Sequence, residues 1–92
     1  MSRSDVSIEK IWPRIRKCES EVFRQIRGQP FTYTVQGAAI VPSTTNRNIS
    51  RSQFDRALHF VSLANTRPVQ HLQGPSYMFA ILMDQRIRED DW

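Results

Sequence analysis

The chain has one cysteine, three glycines and only two lysines in 92 residues. A single thiol, Cys18, forms no internal disulfide, which fits a reducing compartment. The isolated glycines Gly28, Gly37 and Gly74 build no phosphate-binding loop. The longest unbroken apolar run is Tyr77 to Met83, seven residues, against the roughly 20 that span a bilayer. The first twenty residues carry Arg3, Asp5, Glu9, Lys10, Arg14, Arg16 and Lys17, so no apolar signal-peptide core lies there. The expectation is one small, soluble, cytoplasmic globular domain over residues 1–92, with frayed ends at about 1–4 and 88–92.

Catalytic constellations are equally thin. Asp55 and His59 stand one helical turn apart, as an acid orienting a general base would, but no nucleophile follows. Cys18, His59 and His71 lack zinc-site spacing. Asp84, Glu89, Asp90 and Asp91 crowd a terminal tail, a poor setting for a carboxylate metal site. The sequence therefore reads as no enzyme, with no metal and no cofactor.

Cations are plentiful, and almost all are arginine. Eleven Arg join Lys10 and Lys17 against nine acids, for a net charge of +4. The charge is polarised. Arg24, Arg27, Arg47, Arg51, Arg56 and Arg67 face a single acid, Asp55, through the middle of the chain. The end holds Asp84, Glu89, Asp90 and Asp91 against Arg86 and Arg88. Basic surface attracts phosphate backbones and speeds encounter.

Periodicity supplies the elements. Ile8, Ile11, Trp12 and Ile15 fall at helical spacing, with Cys18 extending the stripe and Ser4, Asp5 or Ser7 available as caps. Pro13 predicts either a kink or a new helix start. Lys10, Arg14 and Lys17 share the opposite face. Three antiparallel strands then follow in the reading: Val22 to Arg27, Phe31 to Val35, and Ala38 to Val41. A type II′ turn is expected at Gly28-Gln29, and another turn at Gln36-Gly37. Phe31 and Tyr33 read as core rather than base-stacking residues.

After the polar loop Pro42 to Asn48, Ser50 and Gln53 have capping-box spacing, with Ile49 and Phe54 as the hydrophobic staple. The stripe Phe54, Ala57, Leu58 and Val61 continues that helix. Gly74-Pro75 resembles a helix entry, and the Tyr77–Met83 block is read as a buried helix running to about Arg86. The fold class is α+β: an N-terminal helix, a three-stranded antiparallel meander, then one or two helices packed on one face of the sheet. In outline alone this order resembles double-stranded RNA-binding domains, which read shape and phosphates. Their Lys-rich helix start is absent, replaced here by Arg47, Arg51 and Arg56.

The sharpest local feature is the segment Thr44 to Gln53. Arg47, Arg51 and Arg56 suit phosphates or guanine, while Asn46, Asn48 and Gln53 suit other base edges. The helix start adds free backbone donors and a positive dipole end. Lys10, Arg14 and Lys17 complete the candidate nucleic-acid-binding set. The expected function is a small nucleic-acid-binding regulatory or accessory protein, DNA before RNA. The rival is a protein-interaction module, a homodimer, or a subunit or inhibitor of a larger complex. It is motivated by Trp12, Trp92, Phe23 and the Tyr77–Met83 block, more large apolar groups than so small a core hides.

Overall fold

The computed structural model describes residues 7–45, 47–61 and 63–92. Its first element is the amphipathic helix α1, Ile8–Lys17, which buries Ile8, Ile11, Trp12 and Ile15. Ser7 takes the cap position, and its carbonyl accepts from the Lys10 and Ile11 amides. Pro13 lies inside one continuous helix on its exposed side. It neither restarts the helix nor enters the core, so its cost is local: one missing backbone donor and crowding of the preceding turn at the Glu9 carbonyl.

A three-stranded antiparallel meander is present; it keeps the second and third expected strands with shifted ends and replaces the first. β1, Phe23–Arg24, pairs with β2, Pro30–Phe31, as a separate two-stranded ribbon. The meander is β3, Tyr33–Gln36, β4, Ala39–Pro42, and β5, Ile49–Ser50. The reason lies at Thr32. There the extended run stops pairing with β1 and starts pairing with β4: Ser43 donates to the Thr32 carbonyl, and the Thr32 amide donates to Ser43 Oγ. Ile49 and Ser50, expected only as the staple and cap that lead into the next helix, supply the third strand because Ile49 belongs in the core opposite Ile40.

The type II′ turn expected at Gly28-Gln29 is found instead at the second turn, for which no type was expected. In the β1–β2 hairpin the Gly28 amide donates to the Gln25 carbonyl at 2.7 Å, which centres the turn on Ile26-Arg27. Gly28 follows it with φ +88°, the arrangement of a three-residue loop with a glycine bulge. Between β3 and β4, Gln36 pairs with Ala39 and leaves a two-residue loop. Gly37 opens that loop with φ +62°, as a II′ turn requires.

Helix α2, Arg51–Ala57, runs on as a 3₁₀ turn over Leu58–Phe60. Phe54, Ala57, Leu58 and Val61 are buried as the stripe predicts. Ile49 and Phe54 occupy the staple positions and both reach the core. The capping box itself does not form. Ser50 Oγ bonds Ser52 Oγ, and Gln53 Oε1 accepts from the Gln73 amide at 3.1 Å.

The apolar block forms helix α3, Pro75–Leu82, entered through Gly74 in the left-handed region. A Cβ on Gly74 would also sit 2.6 Å from Ile49 Cδ1, so that position is closed to larger residues on two counts. The helix stops short of Arg86. Asp84 begins a new one, α4, Gln85–Arg88, its carboxylate accepting from the Arg86 amide. The tail expected to fray is docked: Trp92 Nε1 donates to the Leu82 carbonyl at 2.9 Å, and Asp91 meets Arg14.

One core joins these parts. Tyr33, Ile40 and Ile49 from the meander meet Ile11 and Ile15 of α1, Phe54 of α2, Ile81 of α3 and Ile87 of α4. Outward positions such as Thr34 and Gln36 are exposed. No helix of the described residues is long and apolar enough to cross a membrane.

Candidate nucleic-acid interface

The loop after β4 and the start of α2 carry most of the candidate residues. Arg47 and Asn48 are exposed, Arg51 is half-buried, and Arg56 is exposed on the next turn of α2. None of these guanidinium groups has an ion-pair partner among the described residues. Gln53 points elsewhere, held by the Gln73 amide, so it acts as a brace between α2 and the turn before α3. Asn46 lies outside the described residues.

The α1 cations have a different fate. Arg14 donates to the Ile87 carbonyl at 2.8 Å and the Arg88 carbonyl at 3.3 Å, closing the C-terminal end of α4. Its guanidinium lies 2.7 Å from Asp91 and 3.6 Å from Glu89. Lys10 stands 3.7 Å from Asp91. Hydrogen bonding from Arg14 holds the Asp91 carboxyl below its ordinary value. The acidic tail thus neutralises two of the three basic residues on this face, while Lys17 remains exposed.

Among the described residues the two basic sets line different concavities. Arg14 and Lys17 line a concavity that also holds Glu21 and Glu89. Arg51 lines another, beside Ala38, Ser52 and Asp55. Arg47 lines a third, of about 620 Å³, between the loop and the start of α3. The loop contributes Thr45, Arg47, Asn48 and Ile49 to one wall, and Gln73, Gly74, Pro75 and Tyr77 form the other. Tyr77 is fixed there by an edge-on contact with Phe31 at 4.9 Å and by a hydroxyl bond to Thr44 Oγ1 at 2.5 Å.

The helix-terminus part of the expectation loses support. At seven residues α2 has under two turns, and the Arg51 amide is already taken by the Ala38 carbonyl at 2.7 Å. The reading for this place therefore rests on the side chains of Arg47, Arg51 and Arg56. Tyr77 and Gln73 were not singled out as site residues from sequence. Tyr77 sits in an apolar block that reads as core, and Gln73 has no local pattern that marks it.

The aromatic residues divide clearly. Phe31 and Tyr33 are buried, with Tyr33 donating to the Ile15 carbonyl. Burial also pushes the Cys18 thiol above its ordinary value, so the neutral thiol dominates at pH 7. No group of three His, Cys, Asp or Glu able to hold a metal occurs among the described residues. No protein family, curated protein or solved structure matches the chain.

Proposed function

We propose that the protein is a small nucleic-acid-binding protein with a regulatory or accessory role, favouring DNA over RNA. Arg47, Arg51 and Arg56 contact phosphates or guanine edges, and Asn48 reaches a neighbouring base. One observation carries this reading: these three arginines are without carboxylate partners among the described residues, whereas Lys10, Arg14 and Arg86 are all paired. A cation not held in an ion pair keeps more of its attraction for phosphate. Lys17 adds a weaker peripheral contact, and Arg14 contributes to stability rather than binding.

The rival protein-interaction reading rested on large apolar groups left outside the core. Trp12 and Phe23 are buried and Trp92 is docked on Leu82. The exposed large apolar groups among the described residues are Val22, Ile26 and Phe60, so the first reading has the stronger support. Anisotropy titration of labelled DNA and RNA duplexes at low salt tests it. Binding is expected for both, tighter for DNA, and weakened about tenfold or more by Arg47→Ala with Arg51→Ala. Undetectable binding at low salt, or binding indifferent to the double substitution, overturns the proposal.

A further inference from the structure

The cavity beside Arg47 differs chemically from its neighbours. Four other concavities on the described surface each include a carboxylate: Asp84, Glu19, Asp55, and the pair Glu21 with Glu89. The Arg47 cavity has a cation and no acid among its described lining residues. Its volume, about 620 Å³, lies within the roughly 300–1,000 Å³ of small-ligand sites. A concave slot of that size admits a single group, not the convex surface of a duplex.

The walls supply three distinct kinds of contact. Ile49, Pro75 and Tyr77 offer apolar and aromatic surface, Asn48 and Gln73 offer amides, and Arg47 offers the charge. The aromatic wall is held in place before any ligand arrives. Phe31 supports the Tyr77 ring, Thr44 holds its hydroxyl, and Gly74 lies close enough that a Cβ there would stand 3.3 Å from Tyr77 Cδ2. The opposite side of the Gln73 turn is fixed by Gln53. Preorganised aromatic surface beside a cation is the combination that holds an unstacked base and its phosphate.

We propose that this cavity takes one unstacked nucleotide, its base against Tyr77 and Pro75 and its phosphate on Arg47. The inference rests on the nucleic-acid reading and narrows it: the nucleotide enters from a single strand, a looped-out position or an open end. Asn48 and Gln73 reach the edge of the base. Arg51 and Arg56 then follow the flanking phosphates outside the cavity.

Amide chemical-shift titration of the intact chain is the test, with inorganic phosphate, thymidine monophosphate, a short oligothymidylate and a DNA duplex as probes. Thymidine monophosphate is expected to shift amides on both walls, at 47–49 and 73–77, where inorganic phosphate shifts only the Arg47 side. The oligothymidylate is expected to bind more tightly than the mononucleotide, which assigns a strand as the source. Equal affinity for the two assigns a free nucleotide and equally supports the cavity. Tyr77→Leu is expected to weaken oligothymidylate binding by about tenfold, while Tyr77→Phe, which keeps the ring, stays near the parent. Thermal melting of both variants shows whether the fold survives, and the parent titration stands without them. Duplex binding with no shift on the Tyr77 wall overturns the cavity and leaves the nucleic-acid reading. No binding of any probe overturns both.

Discussion

Tyr33 ties the sheet to the first helix through one hydroxyl. Its ring is buried, and the hydroxyl donates to the Ile15 carbonyl at 2.6 Å, near the end of α1 where carbonyls lose their helical partners. Burial pushes its phenol well above the ordinary value, which keeps the donating form. Tyr33→Phe leaves that carbonyl without its partner and is expected to cost about 1–3 kcal/mol. Urea denaturation measures it, and an unchanged midpoint would show that the bond contributes nothing. The burial of Tyr33 was legible from strand alternation, but its partner was not, because Ile15 is brought near only by the folded sheet. Gln53 teaches the converse. Its capping-box spacing was a true local pattern, yet the turn at Gln73 offered an amide that the side chain satisfies instead.

Elements show where chain-local rules hold and where neighbours decide. The stripes of α1 and α2 were readable because one face of each meets the core at helical spacing. Strands of two residues, such as β1, β2 and β5, carry too little alternation to be located, and the β1–β2 ribbon ends at the switch at Thr32. Pro13 is exposed within α1, so Pro13→Ala restores a backbone donor without disturbing packing. That variant is expected to gain stability, by up to about 3 kcal/mol. Thermal melting checks this, and a lower melting temperature would mean that the proline serves the fold. Docking of the tail against α1 was unreadable because Arg14 and its acceptors are more than seventy residues apart. Asp91 and Asp84 are both held below the ordinary carboxyl value, by hydrogen bonds from Arg14 and Arg86. A depressed folded-state value means the unfolded chain binds more protons. The stability these groups add is therefore present above about pH 4 and disappears as pH falls through the depressed values. Asp84→Asn with Asp91→Asn is expected to flatten the acid limb of a denaturation-against-pH profile. An unaltered limb would place the acid sensitivity elsewhere.

Across the whole molecule, the α+β class was legible and the charge map only partly so. The net charge of +4 does not say which cations face the protein's own acids. Folding makes that division: Lys10, Arg14 and Arg86 turn to carboxylates, and the arginines of the loop and α2 stay free among the described residues. The candidate cations read from sequence thus separate into Lys10 and Arg14, paired with the acidic tail, and Lys17, Arg47, Arg51 and Arg56, without ion-pair partners among the described residues. The salt dependence of duplex binding tests this division most directly. Each phosphate that a cation neutralises steepens the fall of log affinity with log salt by about 0.9. Arg47→Ala, Arg51→Ala and Arg56→Ala together are expected to make that slope shallower by roughly two to three, while Lys10→Ala with Arg14→Lys leaves it close to the parent. Equal slopes for the parent and the triple variant, or a greater flattening from the α1 pair, would contradict the account.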